Sequence, residues 1–274
     1  MIFGISVNTS KPNYETILKN IWITLKNKIP NCKIKIFLDG ENLKSEESTL
    51  SFLFIVGGDG TILRNVSFLK NHNTPLIGIN YGTLGFLASV EIGDIEKAVE
   101  FIRDENFYIE NRIMLNTTID SDDCSEGCIA LNDIAITKLP LSRLLRFKIF
   151  IDDKYYSYFS GDGIIIATPT GSTAYSLSAG GPIISPDIES IIITPICPHS
   201  LNAKSLIISS NSVIKLEIDG LDDNCYVIVD GQRQEVLKGK QFLKIRKHSK
   251  NCPIIRFDFY DYYSVLREKL INRI

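Results

Sequence analysis

The chain has 274 residues, 44% hydrophobic and 23% charged, the composition of a folded protein with a large buried core and not of a disordered one. Thirty basic and 32 acidic side chains leave a formal net charge of -2, so there is no basic field to neutralise a nucleic-acid backbone, and no nucleic-acid partner is expected. The apolar runs 51–56 and 163–168 are far shorter than the roughly 20 residues of a membrane helix, and residues 1–10 lack a basic leader, so the expectation is no membrane partner and a cytoplasmic address.

The length favours two domains over one. Cysteines at 32, 124, 128, 197, 225 and 252 are scattered through a chain too large to need covalent staples, and they read as reduced thiols. Cys124 and Cys128, with Cys197 near His199, invite a zinc reading, but no second pair has ligand spacing and no metal site is expected.

Residues 1–7 (MIFGISV) read as a buried strand. A helix over 13–29 follows, its apolar face made by Tyr14, Ile17, Leu18, Ile21, Trp22, Leu25 and Ile29. Residues 33–38 alternate as a strand, and 51–56 are apolar throughout, as in strands covered on both faces. Helical periodicity returns over 61–71, a short strand over 75–80 and an amphipathic helix over 92–104. Strands alternating with helices argue a parallel sheet with crossover connections.

After about Phe107 the texture changes to short β-type runs: 113–119, 128–137, 146–151, 163–168, 205–209, 213–218, 226–229 and 241–246. The acidic segment 120–127 and the triplet 152–154 read as hairpin turns. The tail carries a strand over 254–260 and helical spacing over 262–270. The predicted organisation is an α/β domain over 1–106 with 256–274, and a mostly β domain over 107–255.

The chemistry concentrates in a few motifs. Val56-Gly57-Gly58-Asp59-Gly60-Thr61 falls where a buried strand meets a helix, a junction whose free N–H groups and dipole attract phosphate. Thr61 is suited to cap that helix. A carboxylate among phosphate-binding glycines is repulsive unless Asp59 orders a metal or takes a proton. Neither a G-x-x-x-x-G-K-[ST] nor a G-x-G-x-x-G loop occurs, which disfavours a Walker ATPase and a standard dehydrogenase.

A second turn, 80–87 (NYGTLGFL), follows the next strand and should surface on the same sheet edge, with Phe86 closing one side of the crevice. In the β half, Gly161-Asp162-Gly163 precedes a strand and Thr168-Pro169-Thr170-Gly171-Ser172-Thr173-Ala174-Tyr175 follows it, running on through Ser178 to Gly180-Gly181-Pro182. So many small hydroxyls and glycines are expected to turn donors toward a ligand, with Tyr175 as a flat surface for a base. Asn132-Asp133 pairs an amide with a carboxylate, suited to ribose hydroxyls. His199 tempts as a base because the chain has only three histidines, and Cys197 beside it reads as a packed thiol.

In content and chain order, Gly57–Thr61, Gly82–Phe86, Asn132-Asp133, Gly161–Gly163, Thr168–Tyr175 with Gly180–Pro182, Thr194–Leu201 and Asp230–Gln232 closely resemble the bacterial NAD kinases, over nearly the whole chain. The GGDG element is shared with diacylglycerol-type lipid kinases, whereas TPTGSTAYSLSAGGP is highly specific. The resemblance implies an N-terminal Rossmann-like α/β domain, a C-terminal β-sandwich domain and a tail returning to the first. It also implies phosphoryl transfer to the 2′-hydroxyl of the adenosine ribose of NAD.

By that resemblance, Asp59 matches the acid beside the acceptor hydroxyl, Gly58 and Gly60 the phosphate-cradling glycines, and Phe86 a pocket aromatic. Asn132 and Asp133 match an acceptor-binding Asn-Glu pair, with Asp133 one methylene shorter than the usual Glu. Thr173, Ala174, Tyr175 and Ser178 match residues around adenine and nicotinamide, and Asp162 an acid near the nicotinamide end. Mg2+ with ATP or polyphosphate as donor, and a homotetramer, are implied as well. The competing readings are a lipid kinase sharing the GGDG element and a non-catalytic NAD(P)-binding sensor.

Overall fold

The computed structural model describes residues 1–69, 71–82, 85–119, 127–200, 202–219, 225–237 and 241–270. The chain forms two compact units, Met1–Asn111 with Cys252–Ile274, and Arg112–Asn251. No described helix is long and apolar enough to cross a membrane.

The first unit runs β1 (Ile2–Val7), α1 (Tyr14–Lys28), β2 (Lys33–Leu38), α2 (Leu43–Glu46), β3 (Phe52–Val56), α3 (Asp59–Phe68), β4 (Leu76–Asn80), β5 (Val90–Glu91), α4 (Ile95–Arg103) and β6 (Tyr108–Arg112). The second follows with β7 (Leu115–Ile119), β8 (Cys128–Ala130), β9 (Asp133–Lys138), β10 (Leu145–Ile151), β11 (Lys154–Gly161) and β12 (Gly163–Ala167). It continues through α5 (Tyr175–Ser178), β13 (Ser190–Ile196), β14 (Leu206–Ser209), β15 (Ile214–Asp219), β16 (Cys225–Val229), β17 (Arg233–Leu237) and β18 (Gln241–Lys247). The chain then returns to the first unit with β19 (Cys252–Arg256) and α6 (Tyr262–Leu270).

The first sheet has the order β2-β1-β3-β4-β19-β6, with β5 beside β4. Its pairs β1/β2, β1/β3, β3/β4 and β4/β19 are parallel. The predicted boundaries at 106/107 and 255/256 shift, because β19 hydrogen-bonds between β4 and β6 and so belongs to this sheet. Chain order reverses between β1 and β3, a topological switch point, where the loops at the carboxyl ends diverge and leave a crevice. β4 is buried along its whole length, Asn80 included, whereas edge strand β2 buries only Phe37 and leaves Ile36 and Leu38 exposed. Helix α1 packs Ile17, Ile21 and Leu25 into this core against Phe3, Ile5 and Ile79, the i, i+4, i+8 stripe of its sequence. Trp22, read as part of that face, lies outside it at 42% exposure, with the Lys26 ammonium 5.9 Å from its ring centre.

The second unit is a sandwich of two six-stranded sheets, β11-β10-β15-β18-β7-β8 and β14-β13-β12-β9-β16-β17. Inward residues of both sheets share one core: Phe147, Leu216, Leu243 and Ile245 from the first, Ile134, Ile136, Ile164, Ile166 and Ile193 from the second. On its other face the second sheet carries a further apolar cluster, its own Ala135, Ile165, Ala167 and Ile192 packed with Ile184 from outside the strands, which is why β12 reads as continuously apolar. Asp152 and Asp153 turn the β10-β11 hairpin at φ 51° and 62°, the type I′ geometry that short polar side chains tolerate. The run read as one strand over 128–137 is two, β8 and β9, broken at Leu131-Asn132. The predicted turn over 120–127 lies outside the described residues except for Gly127.

Candidate functional site

In the first unit the GGDG turn leaves β3 at the switch point. Helix α3 begins at Asp59, with extended Gly58 as its N-cap. Thr61, expected to cap, is instead the third helical residue, because Gly58 already accepts from the Thr61 and Ile62 amides. A Cβ on Gly57 would lie 2.4 Å from Thr61 Oγ1, so that glycine is required by the fold itself. A Cβ on Gly58 would meet nothing within 4 Å. The space over Gly58 is therefore left to whatever approaches the first turn of α3, where Gly60 is exposed and the amides lack intrahelical partners.

Asp59 does not hang free. Its Oδ2 accepts from the Phe86 amide at 2.9 Å and its Oδ1 from the Leu87 amide at 3.1 Å. A Cβ on Gly85 would fall 2.0 Å from Asp59 Oδ1, so this approach demands glycine there. The two glycine turns thus meet on one sheet edge through this carboxylate. Thr83 and Leu84 of the second turn lie outside the described residues.

Behind Phe86 and Leu87 stands Arg256, fully buried at the end of β19. Its Nη2 donates to Phe86 O and its Nη1 to Leu87 O, each at 3.0 Å, while its Nε donates to Glu110 Oε2 at 2.7 Å. Tyr260 stacks under the guanidinium at 4.0 Å and donates its hydroxyl to Phe86 O at 3.2 Å. The Phe86 ring is half-buried, 6.1 Å from Tyr262. It therefore leans on α6 as well as facing the turn.

In the second unit, Asn132, Asp133, Ala174 and Tyr175 line one cavity of about 570 Å3 together with Asp230, Gly231 and Gln234. The β16-β17 hairpin turns at Asp230 and Gly231, with φ 51° and 64°. That turn aims Asp230 at the β8-β9 break: Oδ2 accepts from the Leu131 amide at 2.9 Å, and Oδ1 from the Asn132 amide at 2.7 Å and the Asp133 amide at 3.1 Å. One carboxylate thereby fixes the segment that presents both predicted ribose-binding residues.

Burial pushes the Asp133 carboxyl up to about 7, and the neighbouring Asp230 charge adds to the rise. Asp230 is raised by burial to about 6, the three backbone N–H groups pulling it back. Asn132 Oδ1 is buried with no protein donor, an acceptor suited to a ligand hydroxyl or amide. Tyr175 is 43% exposed at the cavity wall. Burial raises its hydroxyl, with further contributions from Cys197, Asp133 and Asp162.

The Thr168–Pro182 block divides into two roles. Thr168 Oγ1 donates to Leu131 O at 2.6 Å, Ser172 Oγ to Pro169 O at 2.6 Å, and Ser176 Oγ pairs with Thr194 Oγ1 at 3.0 Å. These three hydroxyls are fully buried and hold the loop, contrary to the expectation that the whole block turns its donors outward. A Cβ on Gly171 would lie 2.2 Å from Asn132 O, so its glycine also serves packing. What remains outward is Thr173 and Ala174, partly, and Tyr175 and Ser178, exposed. Thr173 and Ser178 sit on the same segment but do not line the cavity.

Asp162 lies between β11 and β12, its flanking glycines imposed by backbone oxygens 2.9 Å and 2.3 Å from their would-be Cβ atoms. Its Oδ1 is 3.7 Å from Lys138 Nζ. Cys197 is exposed at φ 43°, not packed, and the adjacent His199 is exposed too. Leu201 and Cys124 lie outside the described residues, and among the described residues no three His, Cys, Asp or Glu side chains cluster as metal ligands.

Sequence reasoning missed Arg256 and the organising role of Asp230. Asp230-Gly231 was visible as a turn dipeptide, whereas nothing local distinguishes Arg256 from a surface arginine.

Residues 5–107 match the model of the ATP-NAD kinase N-terminal domain and residues 131–257 that of the ATP-NAD kinase C-terminal domain. The NAD kinase of Clostridium beijerinckii is 42% identical over 270 residues, covering 98% of this chain and 95% of that protein. That of Clostridium botulinum strain Loch Maree is 41% identical over 271 residues, covering 98% and 96%. Among solved structures, yeast NADH kinase complexed with NADH aligns at TM-score 0.86 and 25% identity, over all of this chain and 88% of that one. An NAD kinase from Archaeoglobus fulgidus in complex with ATP aligns at TM-score 0.78 and 25% identity, over 97% and 98%. Matched in both domains and related over nearly its full length, the chain belongs to the ATP-NAD kinase family.

Proposed function

We propose that the chain transfers the terminal phosphoryl group of ATP to the 2′-hydroxyl of the adenosine ribose of NAD, giving NADP. The observation that carries this reading is Asp59, placed between phosphate-suited amides at the start of α3 and tied by two backbone N–H groups. A carboxylate has about four acceptor directions, so it keeps lone pairs for a substrate hydroxyl. In the reaction the 2′-oxygen bonds to the γ-phosphorus, the bond to the β,γ-bridging oxygen breaks and ADP leaves. The hydroxyl proton passes to Asp59.

The Asn132-Asp133 pair accepts and donates to ribose hydroxyls, and Tyr175 stacks on a base. Thr173, Ala174 and Ser178 pack around adenine and nicotinamide, and Asp162 serves the nicotinamide end. Gly58 and Gly60 let the donor phosphates approach the backbone, and Phe86 bounds the pocket. Bound together with the donor, Mg2+ would supply charge neutralisation of the phosphates. Polyphosphate offers the same terminal group and serves as a second donor. A homotetramer is the working assembly; edge strand β11 displays Tyr155, Tyr156 and Tyr158, a contact surface for another copy.

Incubation with NAD and Mg·ATP, followed by phosphorus NMR of the product, tests the reading. A new monoester on the 2′-position supports it. Phosphorylation of diacylglycerol without NADP, or NAD binding without turnover, overturns it.

A further inference from the structure

Arg256 serves no purpose in the phosphoryl transfer as described, yet it is a fully buried cation whose donors converge behind the proposed acid. The peptide group between Phe86 and Leu87 is held on both sides. Its oxygen accepts from Arg256 Nη2 at 3.0 Å and from the Tyr260 hydroxyl at 3.2 Å, and its N–H donates to Asp59 Oδ1 at 3.1 Å. The next peptide oxygen, on Leu87, accepts from Arg256 Nη1 at 3.0 Å. Glu110 balances the charge through Nε at 2.7 Å.

Hydrogen bonds in series polarise one another in a low-dielectric interior, so a guanidinium on the carbonyl strengthens the N–H that holds the carboxylate. We propose that Arg256 is a positioning residue for Asp59. Through the Phe86-Leu87 peptide, the last strand of the chain fixes the acid that receives the acceptor's proton. The inference rests on the role given to Asp59 under the proposed function. Lysine at 256 retains the charge toward Glu110 but cannot reach two carbonyl oxygens and a carboxylate from one rigid fork. The polarised peptide then loosens and Asp59 drifts from the reacting hydroxyl.

The experiment measures kcat and KM for NAD in Arg256→Lys and Tyr260→Phe, each alone and combined with Asp59→Asn, with melting curves and NAD titration on every protein. Misplacement of a catalytic group by about 1 Å can cost about 10²-fold, so Arg256→Lys is expected to lower kcat about 10- to 100-fold. KM for NAD should stay within about threefold, because only the transition-state contact is weakened. In the Asp59→Asn background the same change should add little, since its target is gone. If Arg256→Lys does not fold, Tyr260→Phe decides alone, removing one donor from the same oxygen and leaving the ion pair intact; it should lower kcat with KM unchanged. The inference is overturned if the folded variants keep kcat within about twofold of wild type, or if their losses are the same with and without Asp59. Near-normal kcat in Asp59→Asn would instead overturn the role of Asp59 itself, a distinguishable outcome.

Discussion

At the scale of single residues, Asp59 is both a structural acceptor and the proposed base, and its replacement should show both roles. Asp59→Asn keeps one oxygen but turns an NH2 toward the Phe86 or Leu87 amide, so one of the bonds at 2.9 and 3.1 Å is lost. Stability should fall by about 1 kcal/mol, seen in denaturant titration, and kcat by about 10²–10⁴ from loss of the base. A folded variant with near-normal kcat would remove Asp59 from the mechanism. Tyr175 makes a sharper division between ring and hydroxyl, because it stands 43% exposed at the cavity wall. Tyr175→Ala should weaken NAD binding by about 1–3 kcal/mol, in line with aromatic stacking on bases, and Tyr175→Phe by far less. Equal losses would assign the contact to the hydroxyl.

At the scale of elements, the β16-β17 hairpin acts as a brace: a type I′ turn orients Asp230, and its carboxylate fixes the β8-β9 break that presents Asn132 and Asp133. Asp133 and Asp230 are both raised in the folded protein, to about 7 and about 6, so the native state holds protons that the unfolded chain has released. With the folded value above the unfolded one, the contribution of this pair to stability is most favourable below pH 4 and declines as pH rises toward about 7. The melting temperature of wild type minus that of Asp133→Asn should accordingly fall between about pH 4 and 7 and level off above. A ribose hydroxyl that donates to Asp133 favours the carboxylate, so NAD binding should release protons near neutrality, measurable by calorimetry in buffers of different ionisation enthalpy. Proton uptake would mean that Asp133 binds as the neutral acid. The element-scale error of the sequence reading has its cause here too. Residues 128–137 are apolar enough for one strand, and only Asp230, about 100 residues later in the chain and bonded to three amides of the break, decides that they are two.

At the scale of the molecule, one unit interrupts the sequence of the other: residues 112–251 contain every strand of both sandwich sheets, while the first sheet needs β19 from beyond residue 251. A fragment 112–251 should therefore show a cooperative unfolding transition by circular dichroism. A fragment 1–111 should not, since it lacks the strand between β4 and β6. Trp22, the only tryptophan, lies in α1 and reports the first unit in the intact chain. Cooperative unfolding of 1–111 alone would show that β19 adds to a sheet already stable.

By itself the sequence determined what depends on neighbours along the chain: the alternation of strands and helices in the first half, the β texture of the second, the phosphate-suited turn after β3, and Asn132-Asp133 and Tyr175 as candidates. Such features follow from periodicity, turn chemistry and motif order, which are local. The tertiary structure alone decided which hydroxyls of the Thr168–Pro182 block are consumed in holding the loop, that Cys197 is exposed, and that Arg256 and Asp230 stand behind the proposed acid and the proposed ribose-binding pair. The placing of Asp230 and Arg256 depends on hydrogen bonds between residues 98 and 170 positions apart in the chain, and a buried donor or acceptor is assigned its partner by packing, not by sequence spacing.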